Sequence, residues 1–104
     1  MKVFLDDVRQ PADIYPNETD WVLVATAQQA IDLLMTFKVS VISLDHDLGS
    51  DENGTGYDVI KWIEEQVFTN GFKPPAFKIH SANPVGRCNM ERGIERLERW
   101  LDVL

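Results

Sequence analysis

The 104-residue chain predicts an α/β fold in which helices cover both faces of a parallel sheet of about four strands. Four short apolar runs alternate with segments whose apolar residues recur every three or four positions, the pattern of strands alternating with amphipathic helices. The run VSVIS at positions 39 to 43 is almost continuously apolar, which favours a parallel strand buried on both faces. With 44% apolar and 26% charged residues, we expect a single domain over residues 1–104.

The first two strands are separated by a loop. Val3 to Leu5 form a short apolar run that ends at the acidic pair Asp6 and Asp7. Residues 8–20 contain two prolines and no apolar helical stripe, so this segment predicts irregular structure. The sequence WVLVA at positions 21 to 25 predicts the second strand.

A capping box marks the start of the next helix. Thr26 and Gln29 have the spacing at which a hydroxyl and an amide satisfy the unpaired backbone donors of a helix start. The apolar residues that follow are expected to line one face of this helix: Ala27, Ala30, Ile31, Leu34 and Phe37. The third strand, at residues 39–44, follows and ends at Asp45.

The second half of the chain predicts two helices and one strand. The turn-rich sequence SDENGTG leads into a helix from Tyr57 that ends near Asn70 and Gly71, and Ala76 to His80 form the fourth strand. The helix has an apolar face of Val59, Ile60, Ile63 and Val67. The last helix has an apolar stripe of Met90, Ile94, Leu97, Leu101 and Leu104, and its charged residues predict a solvated face.

Charge and cysteine content narrow the classes of function. The formal net charge of −7, from 17 acidic and 10 basic residues, argues against binding nucleic acid through bulk charge. Cys88 is the single cysteine, so no disulfide can form within the chain, and the first residues show no secretion leader. No apolar run approaches the roughly 18 to 20 residues of a membrane-spanning helix. We therefore expect a cytoplasmic protein without membrane association; its oligomeric state is left open.

Polar clusters follow three of the predicted strands. These clusters are Asp6-Asp7, Asp45-His46-Asp47 and His80-Ser81-Ala82-Asn83. Because the carboxyl ends of parallel strands meet at one edge of a sheet, we expect all three clusters to lie together there. Carboxylates brought this close repel one another unless a cation lies among them, and oxygen ligands suit Mg²⁺ or Mn²⁺. The sequence therefore predicts a metal or phosphate site at this edge.

Each of these acidic side chains also has a purely structural interpretation. Asp6 could cap a loop, Asp7 could pair with Arg9, and Asp47 could form an Asx-turn. His46 could be a loop histidine, and His80 could be a satisfied, half-buried histidine at the end of a strand. A histidine can also donate or accept a proton near neutral pH, which makes both candidates for acid or base catalysis.

Three further residues are candidates for binding phosphate. Ser81 and Asn83 could bind phosphate oxygens, or they could form the turn that Pro84 fixes. Arg87, near the start of the last helix, could present its planar guanidinium to phosphate beside the helix amides, or it could form a surface ion pair.

Four segments together carry a resemblance to a known family. The segments LDDVRQP, ISLDHDLG, GTGYDVIKWI and HSANPVGRCNM resemble the receiver-like domain of the cyclic-phosphate-processing type, a divergent branch of the response-regulator receiver domains. The resemblance implies a three-layer, flavodoxin-like sheet, with Mg²⁺ or Mn²⁺ held by Asp6, Asp7 and Asp45. Two features differ from an ordinary receiver: the first helix is degenerate, and the fifth strand with its Lys-Pro pair, which would supply a phosphate-contacting lysine, is absent.

The resemblance and the residues together predict a metal-dependent phosphoesterase, a hydrolase of cyclic phosphates of the nucleotide, RNA-end or sugar type. Asp47 would be a further ligand or a base, and His46 or His80 would protonate the leaving oxygen. Asp45 could also attack the phosphorus directly and form an acyl phosphate. The expected partner is a small phosphorylated ligand or an RNA end. The alternative is a signalling module derived from a receiver that binds a phosphate or cyclic nucleotide without turnover.

Overall fold

The computed structural model describes residues 1–103, so Leu104, which was expected on the apolar stripe of the last helix, lies outside the described residues. Within them, four parallel strands form one sheet in the order β2-β1-β3-β4. The strands are β1 (Lys2–Leu5), β2 (Trp21–Val24), β3 (Val41–Leu44) and β4 (Ala76–Ile79). Leu5 lies opposite Leu44, and Leu44 lies opposite Ile79. The residues that follow these three strands therefore lie side by side at the carboxyl edge of the sheet.

Four helices and one 3₁₀ turn, Asp51–Asn53, connect or follow the strands. The helices are α1 (Pro11–Ile14), α2 (Ala27–Thr36), α3 (Gly56–Asn70) and α4 (Pro84–Asp102). Helix α1 is a single turn in the segment that was predicted to be a loop. Pro11 occupies its first position, where the fixed φ of proline suits a helix and its missing N–H costs nothing.

The ends of the longer helices follow from local side chains. The capping box of Thr26 and Gln29 is confirmed at the start of α2. A second capping box, formed by Thr55 and Asp58, starts α3 and was not predicted. Gly71 ends α3 in the left-handed conformation, with φ of 64°, as the Asn-Gly signal indicated.

The hydrophobic core lies between one face of the sheet and helices α2, α3 and α4. Val3, Leu5, Ile42 and Leu44 are fully buried in one cluster with the apolar faces of these helices. The expected three-layer arrangement with a degenerate first helix is confirmed. The opposite face is covered by residues 8–20, which form only the one turn of α1 because the segment is short and rich in proline.

Among the described residues, two predicted members of the apolar faces are exposed. Phe37 caps the C-terminus of α2 and is 52% exposed, because the helix ends one residue earlier, at Thr36. Leu101 is 37% exposed near the end of α4. The buried residues of α4 are Gly86, Met90, Gly93 and Leu97, so two glycines also belong to its packed face.

Candidate functional site

Three carboxylates meet at the carboxyl end of the sheet, as the order of the strands requires. Asp6 and Asp7 follow β1, Asp45 follows β3, and one oxygen of each lies within 4.8 Å of the others. Asp6 and Asp45 are buried, whereas Asp7 is exposed. The structure therefore brings together the three residues that were predicted to bind metal, and the set contains only oxygen ligands.

The Asp6 carboxylate is already saturated with hydrogen bonds. Its Oδ1 accepts from the backbone N–H groups of Val8 and Arg9, each at 2.9 Å. Its Oδ2 accepts from Arg9 Nε at 2.9 Å and contacts His80 Nε2 at 3.1 Å. Burial alone would raise the pKa of Asp6, but the donors from Arg9 and Val8 outweigh it and lower the pKa. Asp6 thus caps the loop after β1 and stays ionised.

Asp45 and Asp7 retain oxygens that could bind a cation. Asp45 Oδ1 accepts the backbone N–H of His46 at 2.9 Å, and within residues 1–103 no hydrogen bond reaches its Oδ2. Burial raises the pKa of Asp45, and the neighbouring Asp6 carboxylate raises it further. The Asp7 carboxylate accepts no hydrogen bond from any described residue. A bound divalent cation would relieve the repulsion that raises the pKa of Asp45, so these residues fit Mg²⁺ or Mn²⁺.

Arg9 lies inside this cluster, although the sequence analysis considered it only as a partner for Asp7. Its guanidinium pairs with Asp6 at 2.9 Å and with Asp45 at 3.3 Å, and it also donates to the backbone carbonyl of His80 at 2.9 Å. The predicted pairing with Asp7 is wrong because Arg9 turns inward across the ends of β1, β3 and β4. The sequence LDDVR places Arg9 close to the acidic pair but gives no direction for its side chain.

His80 is buried in a chain of hydrogen bonds that the sequence analysis did not detect. The Tyr15 hydroxyl lies 2.8 Å from Ser43 Oγ, and Ser43 Oγ lies 2.7 Å from His80 Nδ1. The imidazole stacks on Phe4 with ring centroids 4.3 Å apart. Burial lowers the pKa of His80 more than Asp6 raises it, so the imidazole is neutral and its contact with Asp6 is a hydrogen bond, not an ion pair.

Because the imidazole is neutral, the donor and the acceptor of each hydrogen bond in this series can be assigned. With Asp6 ionised, His80 Nε2 donates to the carboxylate, and Nδ1 accepts from Ser43, whose oxygen accepts from Tyr15. The His80 side chain is 1% exposed, and both of its nitrogens are occupied by protein groups. The geometry therefore favours a role in positioning Asp6 over the acid or base role that we expected.

His46 and Asp47 form a second polar pair at the same edge of the sheet. His46 Nδ1 lies 3.0 Å from Asp47 Oδ1, and Asn83 Nδ2 donates to Asp47 Oδ2 at 3.1 Å. The hydrogen bonds from His46 and Asn83 lower the pKa of Asp47. Gly86 packs directly on the imidazole, since a Cβ at that position would lie 2.3 Å from His46 Cγ. His46 Nε2 has no hydrogen-bond partner within residues 1–103, so the ring is held with one nitrogen available.

The residues predicted to bind phosphate are largely engaged with the protein. Ser81 Oγ accepts the backbone N–H of Asn83, and Asn83 Oδ1 caps α4 by accepting from Val85 and Gly86. Arg87 pairs with Glu91 at 2.9 Å on the surface of α4. The turn and ion-pair interpretations of these residues are thus present in the structure, and their binding of phosphate stays a prediction.

A parallel sheet with an acidic cluster beyond β1 and β3 defines a receiver-like domain of flavodoxin-like, three-layer architecture, in which residues 8–20 form the thin third layer. Residues 1–96 match the family model described as the cyclic-phosphate processing receiver domain, and the chain belongs to this family. No curated protein and no solved structure matches the chain. Among the described residues, none of the helices combines the length and apolarity that crossing a membrane would take.

Proposed function

We propose that this receiver domain is a metal-dependent phosphoesterase that hydrolyses cyclic phosphates. The observation that carries the proposal is the cluster of Asp6, Asp7 and Asp45, whose oxygens lie within 4.8 Å of one another at the ligand-binding edge of the sheet. The link of the family to cyclic-phosphate processing supports the substrate class. The substrate would be a small cyclic phosphate or the cyclic phosphate at an RNA end.

Bound Mg²⁺ or Mn²⁺ would polarise a phosphoryl oxygen and lower the pKa of a coordinated water. Asp7 and Asp45 are the side chains with oxygens free to hold the ion, whereas Asp6 would have to release one of its hydrogen bonds. His80 holds Asp6 in place from the interior of the protein. Asp45 also remains the candidate for direct attack on phosphorus.

His46 is the candidate acid for the leaving oxygen, a role in which both ring nitrogens carry a proton and Nε2 gives its proton to that oxygen. Its Nδ1 is held by Asp47, and Asn83 in turn holds Asp47, so the imidazole is oriented on one side and has Nε2 available on the other. A histidine oriented in this way can transfer a proton without a large movement. The cytoplasmic location expected from the sequence stays a prediction.

Turnover of cyclic esters tests the proposal. Purified protein is incubated with cyclic nucleotides, an RNA oligomer ending in a cyclic phosphate and sugar cyclic phosphates, with Mg²⁺, Mn²⁺ or chelator. We expect ring opening that requires metal and falls at least about a hundredfold in Asp45→Asn, since each 1.36 kcal/mol of lost transition-state stabilisation is a factor of ten. Asp32→Asn, an exposed carboxylate on α2, is the matched control.

Two results of this assay would contradict the proposal. If no ester is opened although a cyclic phosphate raises the melting temperature in the presence of metal, the domain binds its ligand without turnover and the phosphoesterase proposal is wrong. Equal turnover in Asp45→Asn and wild type would also contradict it.

A further inference from the structure

We propose that Arg9 is the residue that binds the substrate phosphate beside the acidic cluster, an inference that rests on the proposed function and deepens it. Arg9 is the positively charged side chain that the structure places among these carboxylates. Ser81, Asn83 and Arg87 were the phosphate-binding candidates expected from the sequence, so Arg9 is a different residue for the main cationic contact.

The guanidinium of Arg9 is fixed by acceptors that follow three different strands. Nε donates to Asp6 Oδ2 after β1, and Nη2 donates to the His80 carbonyl after β4, both at 2.9 Å. Nη2 also lies 3.3 Å from Asp45 Oδ1 after β3. A planar group anchored at three points loses little additional conformational freedom when it binds a ligand.

One nitrogen of this guanidinium, Nη1, remains free for a ligand. Its contacts use Nε and Nη2, and Nη1 donates to no acceptor within residues 1–103. The Arg9 side chain is 32% exposed, so a ligand can approach it from solvent. Guanidinium N–H groups match the spacing of phosphate oxygens and make charge-assisted hydrogen bonds to them.

The charge balance of the site requires such a cation. Three carboxylates within 4.8 Å repel a phosphate group, and a single divalent ion does not offset their charge together with that of the ligand. Arg87 is poorly placed to help. It pairs with Glu91 and reaches the carbonyl of Ile79, which lies on the edge of β4 turned away from β3.

Binding of inorganic phosphate in the presence of Mg²⁺ tests the inference without requiring turnover. Isothermal titration is carried out on wild type, Arg9→Gln and Arg87→Gln, with Arg92→Gln on the exposed face of α4 as the matched control. Loss of a charge-assisted contact weakens phosphate binding at least about tenfold in Arg9→Gln, while Arg92→Gln binds as wild type does. Mg²⁺ binding without phosphate is retained in Arg9→Gln, because Arg9 competes with the ion for Asp45.

A measurement on the wild-type protein removes the dependence on a folded variant. The side-chain Nε and Nη resonances of Arg9 in NMR spectra shift when phosphate is added to the Mg²⁺-loaded protein. Unchanged Arg9 resonances at saturating phosphate, or no phosphate binding at all, overturn the inference. So does a folded Arg9→Gln that binds phosphate as wild type does.

These outcomes are separate from those of the turnover assay. Phosphate held by Arg9 in a protein that opens no ester would contradict the proposed function and leave the inference intact. Ester hydrolysis in a protein whose Arg9 resonances do not shift with phosphate would support the proposed function and overturn the inference about Arg9.

Discussion

His80 lies in the middle of a buried chain of hydrogen bonds that runs from Tyr15 through Ser43 to Asp6. The link from Ser43 depends on the imidazole being neutral, because Nδ1 accepts a hydrogen bond only when it carries no proton. Burial makes a charged imidazole costly here, and the nearby Arg9 guanidinium adds to this cost. The histidine therefore acts as a rigid spacer between the sheet and the first carboxylate of the cluster.

The lowered pKa of His80 predicts a loss of stability in mild acid. The unfolded chain takes up a proton on this residue as the pH falls through about 6.5, whereas the folded protein resists it until a lower pH. The free energy of unfolding of the metal-free protein therefore falls as the pH drops from 7.5 to 5.5, by at most about 1.4 kcal/mol per pH unit from this residue.

Urea unfolding at these two values of pH, in wild type and in His80→Gln, measures this effect. We expect a smaller loss of stability over the interval in His80→Gln, even if that variant is less stable throughout. Equal losses in the two proteins would show that His80 does not resist protonation in the folded state.

Helix α3 starts in contact with the backbone of the site. A Cβ at Gly56 would lie 2.1 Å from the carbonyl oxygen of Asp45 and 2.9 Å from Met90 Sδ. Gly71, at the other end of the same helix, has open space around it and a φ of 64°. The two glycines are thus required for different reasons, close packing at the start of the helix and backbone conformation at its end.

This difference predicts unequal effects of two alanine substitutions. Gly56→Ala should lower the free energy of unfolding by about 3 kcal/mol or more, because the neighbouring atom is backbone and cannot turn away. Gly71→Ala should cost only about 1 kcal/mol, the strain of a left-handed alanine. Urea denaturation of both variants checks the order, and the reverse order would mean that the start of α3 can move away from Asp45.

Sequence patterns predicted the elements that depend on local signals. The α2 capping box and the Asn-Gly end of α3 rely on residues adjacent in the chain, and both were found as expected. The turn of α1 was not predicted, since its stripe is too short to show a period. The capping box at Thr55 and Asp58 was obscured by the glycines around it.

The candidate site was likewise predicted only in part from the sequence. Alignment of the strand ends predicted that Asp6, Asp7 and Asp45 would meet, because a parallel sheet dictates it. The contacts of His80 with Ser43 and Asp6 join residues 37 and 74 positions apart. Such contacts depend on which face of a strand each side chain occupies and leave no local pattern. Arg9 was missed for the same reason.

The whole molecule carries a net charge of −7, and three of its carboxylates are concentrated at one edge of the sheet. Metal binding should therefore stabilise the fold as well as prepare the site. A ligand present at a hundred times its dissociation constant adds about 2.7 kcal/mol to the free energy of unfolding. For a domain of this size, that corresponds to a rise in Tm of about 10 °C or more.

Asp7→Asn is expected to change the melting temperature in opposite directions with and without metal. Removing an exposed carboxylate from the cluster relieves repulsion, so the metal-free variant melts above wild type. The same change removes a proposed metal ligand, so the variant should gain less stability from millimolar Mg²⁺. Calorimetry with Mg²⁺ or chelator measures both effects, with Asp32→Asn as the control. Equal gains in Asp7→Asn and wild type would exclude Asp7 as a ligand.

The strand order also bears on how the protein is made. Strand β1 is synthesised first but lies between β2 and β3, and its pairing with β3 joins Lys2 to Val41. Because every strand pair is parallel, no hairpin can assemble the sheet locally, and β1 has two open edges until later segments leave the ribosome. Asp6 acquires its histidine partner only once His80 has been added. A nascent chain therefore carries the acidic doublet well before it can assemble the complete site, which requires that His80 has been translated.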